Sequence, residues 1–198
     1  MARPHKSEQT RTDLIQVGMD QLSEIGYHGT GIKQILDVMQ VPKGSFYNYF
    51  ASKEAFVAEV VEEYGRDLIK ELDESISNSQ LGAVKQLQVI LDDSIDNYES
   101  LGCRRGCLIG SLAAELGGQS KLCQEALQQV VIQWEQRITE LLYRGQQAGK
   151  IRTDLRAEQL ASIFWSCWEG ALMRMKLEGK TEPLREMAAL LLNTLLRP

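Results

Sequence analysis

The sequence predicts an all-α protein, and three observations carry that prediction. Apolar residues recur at helical spacing through most of the chain, no segment shows the strict alternation of a half-buried strand, and glycine or proline marks the seams between periodic segments. About nine helices fit. Three N-terminal ones read as a first domain, residues 1–53, and the others as a second, residues 54–198.

The first helix is expected over residues 7–25, with Leu14, Ile15, Leu22 and Ile25 inward and Gly26 as its stop. Arg3, His5, Lys6 and Arg11 form a loose basic arm at its start, able to follow a phosphate backbone. In the next segment Ile32, Ile35, Leu36 and Met39 make one apolar stripe. A turn follows at Gln40-Val41, and Pro42 suits the first turn of a new helix because its missing N–H has no intrahelical partner there. The short helix that follows, residues 43–50, opens with Lys43, Gly44 and Ser45. Small and basic residues at a helix start let the backbone approach a polyanion. Tyr47 and Asn48 add side chains able to hydrogen-bond phosphates or base edges. Two short helices across a tight turn in this order form a helix-turn-helix, and the expected partner is double-stranded DNA.

Ser52 is placed to cap the next helix, residues 52–77. Lys53 then lies in its first turn, where a cation opposes the helix dipole unless an anion such as a phosphate is present. Phe56, Val60, Tyr64 and Leu68 give this helix an apolar side. Asn78, Ser79, Gln80, Leu81 and Gly82 read as a break. A helix over residues 83–98 carries Leu87, Ile90, Leu91 and Ile95, and another begins near Cys107 and ends at Gly117-Gly118. Residues 120–147 form a long helix with Trp134, Ile138, Leu141 and Leu142. Asp154 is a candidate cap for a helix over residues 156–177, which carries Phe164, Trp165, Trp168 and Leu172. Pro183 opens the last helix, with Leu184, Met187, Leu190, Leu191 and Leu195 on its apolar face.

Composition bounds the function. The chain has 198 residues, is 43% hydrophobic and 25% charged, and so can bury a real core; its net charge of −5 excludes a wholly basic nucleic-acid-coating protein. Lys and Arg are in slight excess over residues 1–53, and the acidic excess falls in the remainder, which confines any DNA-facing charge to the N-terminal end. The N-terminal residues lack the apolar core of a signal peptide. The longest apolar stretch, residues 188–196, is interrupted by Asn193 and too short to span a bilayer, so a cytoplasmic protein without membrane association is expected. In that compartment the four cysteines are expected to be reduced. No Ser/His/Asp set, phosphate loop or metal-ligand spacing points to an enzyme, a cofactor or a metal.

The run GYHGTGIKQILDVMQVPKGSFYNYFASKEAF resembles the N-terminal domain of the TetR family of bacterial transcriptional regulators. Gly26-Tyr27, Thr30, Ile35, Val41, Lys43-Gly44, Phe46-Tyr47, Tyr49-Phe50 and Ser52-Lys53 fall at that family's spacing. Gly31, Gln40 and Pro42 depart from it, standing where the family has a Ser or Thr, a turn glycine and a capping Ser or Thr. The resemblance implies a repressor that binds a palindromic operator as a homodimer, its last two long helices pairing with their copies in a four-helix bundle. It adds Thr30 and Tyr49 to a DNA-facing set of Lys43, Gly44, Ser45, Tyr47, Asn48 and Lys53.

The segment GCLIGSLAAE resembles the family's subgroup that responds to N-ethylmaleimide-type electrophiles, and the resemblance implies a sensor at Cys107. The residues point the same way: Arg104, Arg105 and a helix start beside Cys107 favour the reactive thiolate, although a plain core cysteine fits the sequence too. Cys103, four residues earlier, is a candidate disulfide partner. A non-covalent apolar inducer is the competing mechanism, with Glu115, Trp134, Phe164, Trp165 and Trp168 as a candidate pocket and Glu169 near them; simple core packing of the aromatics is the alternative. Lys176 is a possible cationic partner of Cys107. Cys123 and Cys167 are assigned to core. A thiol-dependent helical enzyme or an interaction module is the reading from a different class.

Overall fold

A computed structural model describes residues 3–77 and 81–198, together with their side chains except those of residues 3–7 and of Lys43. The side chains of Arg3, His5 and Lys6, and the break at Asn78, Ser79 and Gln80, therefore lie outside the described residues. The described chain is all-helical: α1 (Arg3–Gly29), α2 (Ile32–Met39), α3 (Lys43–Phe46), α4 (Lys53–Ile76), α5 (Ala83–Ser100), α6 (Leu108–Leu116), α7 (Lys121–Gln147), α8 (Ala157–Glu178) and α9 (Glu182–Leu190), the last running into a π-helical turn (Leu191–Leu195). Among these residues no helix is long and apolar enough to cross a membrane.

The helices gather into two compact units. The first joins Met1–Asp67 to Leu108–Val130, so the N-terminal helices fold together with α6 and the start of α7. Its core holds Leu14, Leu22, Ile35, Leu36, Ile109, Leu112 and Leu116, all shielded from solvent. Three aromatics stack beneath the short helix α3: Phe46 lies 5.3 Å from Phe50 and 5.4 Å from Phe56, and Phe50 lies 4.9 Å from Phe56 between ring centroids. Burying three such rings in edge and tilted contact contributes several kcal/mol, on the order of 2–3 per side chain. A helix too short to hold itself is thereby fixed in place. Gly18 of α1 faces the Phe56 ring so closely that any side chain there would overlap it.

The turns follow the sequence closely. Gly26 breaks the first helix with φ 73° and ψ −175°, a conformation open to glycine. Gln40, standing where a glycine is usual, takes the left-handed conformation with φ 52°, and the Gln40 and Val41 amides donate back to Asp37 and Leu36 carbonyls. Ser52 caps α4 as expected, its hydroxyl accepting from the Ala55 amide at 3.1 Å.

The second unit comprises Leu68–Cys107 and Val131–Pro198. Leu87, Leu91, Ile95, Ile138, Leu141, Leu160, Phe164, Leu172, Met175 and Leu184 fill its interior. Gln86, almost fully buried, donates to the Ile76 carbonyl at 2.7 Å. Arg137 grips Asp73 through two bonds of 2.8 and 3.2 Å, and Arg185 reaches Glu99 at 2.6 Å.

Several details differ from the sequence reading. Ile25 is 46% exposed, because the apolar stripe of α1 ends where Gly26 breaks the helix. Asp154 does not cap α8; it binds Arg152 at 2.5 and 2.6 Å, while the Arg156 amide at the helix start donates to the Gln159 side chain. Cys167 is exposed rather than core, and Trp165 and Trp168 are half-buried. On α8 the fully buried residues Leu160, Phe164, Ala171 and Met175 occupy one side, and Ile163, Cys167 and Met173 fall on another.

Candidate functional site

In the first unit, packing decides what α3 presents. Phe46 and Phe50 point into the aromatic core, which turns Gly44, Tyr47 and Asn48 outward; Tyr47 is 58% exposed. Nothing lies within 4 Å of where a Gly44 side chain would begin, so the backbone there is open to close approach. Ser45 and Tyr49 are half-buried at the edges of this face. The Ser45 amide donates to the Pro42 carbonyl at 2.8 Å, and the Asn48, Tyr49 and Phe50 amides continue the turn. Thr30 does not join the surface. It is fully buried, and its hydroxyl donates to the Gly26 carbonyl at 2.7 Å.

Lys53 sits behind this face in a cluster of long-range contacts. Its ammonium donates to the Tyr27 carbonyl at 2.6 Å and lies 3.9 Å from the centre of the Tyr27 ring. Burial pulls its proton affinity below the usual lysine value, against the opposing pull of Glu54 and Glu115. An ammonium has three donors, so the bond to Tyr27 leaves two for an incoming anion. The Tyr27 hydroxyl donates to Glu54 at 2.9 Å; burial and then this carboxylate push the phenol up to about 12.

Glu115 completes the cluster, a role the sequence did not suggest. Its two carboxylate oxygens accept from the backbone amides of Tyr27 and His28, each at 2.9 Å. The Gly26 kink turns both amides outward in this way, and a side chain at Gly26 would collide with the Glu115 oxygen. Cys123, buried at the start of α7, donates to the Glu54 carbonyl at 3.5 Å. Burial pushes its thiol up.

The second unit holds Cys103, Cys107 and the candidate pocket aromatics. None of the four cysteines is in a disulfide, and Cys103 and Cys107 are both buried. Cys103 occupies a left-handed turn with φ 57°, and burial followed by Glu99 and Glu182 raises its proton affinity. Cys107 is 7% exposed, and its thiol donates to the Glu169 carboxyl of α8. Burial pushes that carboxyl above its ordinary 4.5, and the thiol hydrogen bond only partly opposes this. Glu169 Oε1 is out of contact with solvent and has no hydrogen-bond partner among the described residues. Lys176 is exposed on the last turn of α8.

Trp134 packs edge-on against Phe164 and Trp165 at 5.1 and 4.9 Å, and Trp168 reaches Phe164 at 6.3 Å. Of the candidate pocket residues, Glu115 belongs instead to the first unit, where both its oxygens are engaged. Among the described residues no group of three or more His, Cys, Asp or Glu side chains could hold a metal.

A helix-turn-helix whose second helix turns small and polar residues outward is the architecture of DNA-binding regulators. Comparison with known proteins agrees. Residues 14–60 match the bacterial regulatory proteins of the tetR family, and residues 83–191 match the tetracyclin repressor-like C-terminal domain. The chain is 33% identical to the HTH-type transcriptional repressor DhaR of Mycobacterium sp. (strain GP1) over 94% of its own length and 92% of that protein's. It is 25% identical to the HTH-type transcriptional repressor NemR of Escherichia coli (strain K12), over 98% of each chain. Among solved structures, a regulatory protein TetR from Rhodobacter sphaeroides superposes with a TM-score of 0.87 at 33% identity, covering 92% of this chain and 96% of that one. The reduced form of E. coli NemR superposes with a TM-score of 0.86 at 25% identity, covering 96% and 98%. This chain belongs to the tetR family of bacterial transcriptional regulators.

Proposed function

We propose that this protein is a homodimeric repressor that holds a palindromic operator and releases it when an electrophile or oxidant modifies Cys107. The observation that carries the reading is the outward face of α3, where Gly44, Tyr47 and Asn48 are exposed over a buried aromatic base. Ser45 and Tyr49 extend that face at its edges, and Lys43 and Lys53 flank it in sequence. Lys43 and Lys53 supply phosphate contacts, and Tyr47 and Asn48 reach base edges or phosphates. A dyad presents two such faces about 34–36 Å apart, one helical turn of DNA.

An apolar stripe on the last two helices supports the dimer. Ile163, Met173, Leu177 and Leu190 are exposed, Leu177 by 85%, and a groove of about 400 Å³ between α8 and α9 is lined by Cys167, Ala171, Met187, Leu190 and Leu191. Exposed apolar area of this kind is costly for a monomer, and a second copy turned about a two-fold axis would cover it.

Cys107 is the sensor because its thiol is held by a functional group rather than by apolar packing alone. It immediately precedes α6, whose last turn carries Glu115 and hence the grip on the Tyr27 and His28 amides. Modification acts by favouring a conformation unsuited to the operator; a change with no preference between states would shift nothing.

The test uses purified protein and operator DNA. Titration with N-ethylmaleimide releases DNA from the parent and not from Cys107→Ser. Equal release from both would transfer the sensing role to a non-covalent ligand. A DNA complex that keeps its affinity and salt dependence in Lys43→Ala/Lys53→Ala would remove the proposed footprint.

A further inference from the structure

Tyr27, the residue after the Gly26 kink, has each of its polar atoms engaged. Its amide donates to Glu115 of α6 at 2.9 Å, its hydroxyl donates to Glu54 of α4 at 2.9 Å, and its carbonyl accepts from the Lys53 ammonium at 2.6 Å. The same ammonium lies 3.9 Å from the centre of the Tyr27 ring. One residue thus meets Lys53 twice, through its backbone and through its ring face, and is itself anchored at both ends. Packing alone would call for the ring and not for this set of bonds.

We infer that Tyr27 is a positioning residue for operator binding: by carbonyl and ring it holds the Lys53 ammonium at the place where a backbone phosphate of the DNA meets it. The inference rests on the reading of Lys53 as a phosphate contact, and it adds a residue that lies outside the DNA-facing set.

The need for such a residue comes from Lys53 itself. It opens α4, where the helix dipole disfavours a cation, and burial disfavours the charged form further. Glu54 and Glu115 act in the opposite sense and favour the ammonium. A lysine also has more rotamer freedom to lose than most side chains when it docks on a phosphate. A head already tied to Tyr27 has given up that freedom before DNA arrives, so less is lost on binding.

The tie leaves the cation available. An ammonium has three N–H donors, and the Tyr27 carbonyl takes one of them. The ring face attracts the positive charge itself, so it would not hold a neutral side chain in the same way. The carbonyl is a firm anchor because its residue is fixed from the other side: beyond the Gly26 kink, the Tyr27 and His28 amides both donate to the Glu115 carboxylate.

The experiment measures binding isotherms of the full-length protein at several salt concentrations, on a duplex that the parent selects from random-sequence DNA. Tyr27→Leu removes the ring and the bond to Glu54; it is expected to weaken binding about tenfold and to make the salt dependence shallower. Tyr27→Phe, which keeps ring and carbonyl, should recover most of the affinity. The deciding comparison is a double-mutant cycle: in a Lys53→Met background, Tyr27→Leu should weaken binding by less than about twofold further. Equal losses in the two backgrounds would overturn the inference, because Tyr27 would then merely hold the domain together. Lys53→Met alone judges the phosphate contact: an unchanged salt slope there removes the footprint and this inference with it. A shallower slope there, joined to equal Tyr27→Leu losses in the two backgrounds, removes this inference only. Should Tyr27→Leu not fold, the Lys53 ε-methylene protons of the DNA-free parent decide by NMR. Their signals should be displaced upfield by the Tyr27 ring current, and random-coil positions would sink the proposal.

Discussion

Replacing Gly26 by Ala tests the joint between α1, α6 and the reading head. Gly26 holds φ 73° and ψ −175°, where a side chain costs about 1–3 kcal/mol. The new methyl would also overlap the Glu115 oxygen, displacing the carboxylate from the Tyr27 and His28 amides. Hydrogen bonds to a charged acceptor are each worth roughly 1.5–3 kcal/mol when shielded, but one here is exposed and water can replace part of it, so about 2 kcal/mol for the pair is reasonable. Gly26→Ala should therefore cost about 3–5 kcal/mol, and Glu115→Ala about 2. Because Gly26→Ala already breaks the clasp, the double variant should be no less stable than Gly26→Ala alone, leaving a coupling of about 2 kcal/mol. Urea denaturation of the DNA-free protein measures all four species, provided the slopes agree. Strict additivity, or a Gly26→Ala cost below about 0.5 kcal/mol, would refute the reasoning.

Lys53→Met should weaken operator binding and make its salt dependence shallower by about one unit of slope, as measured by binding isotherms at several salt concentrations. Leu190→Arg should convert a dimer to monomer in light scattering, since it places a charge on the exposed apolar stripe, while the monomer stays helical by circular dichroism. Phe46→Ala, which removes a fully buried ring from the aromatic stack, should cost about 3–5 kcal/mol and abolish operator binding together with it. Burial raises the Glu169 carboxyl above 4.5, so its contribution to stability is fully present below that value and is lost as pH rises through the folded value. Glu169→Gln should flatten this fall in thermal melts run across that range; an unchanged pH dependence would count against the raised value.

The helices were legible because each rests on local pattern. Ile32, Ile35, Leu36 and Met39 mark one face, Ser52 supplies a cap, and Gly26 and Pro183 supply punctuation, all within a few residues of what they control. Where the chain is apolar on more than one side, periodicity lost its power to orient. Cys167 and Ile163 carry the same apolar signature as Phe164 and Leu160, yet they lie on the outer side of α8. Sequence pattern cannot separate a face meant for the interior from one meant for another surface.

From residue order came the all-helical fold and the helix-turn-helix, which depend on spacing and residue type, while the choice of Cys107 as sensor came with the family resemblance. Tertiary structure alone decided that Thr30 spends its hydroxyl on Gly26, that Glu115 holds amides 88 and 87 positions away, and that the Cys107 thiol meets Glu169. The physical reason is the reach of each force. Helix periodicity and capping act within a turn or two, whereas a carboxylate finds its donor or its proton only after folding has brought distant segments to hydrogen-bond distance and taken them out of water.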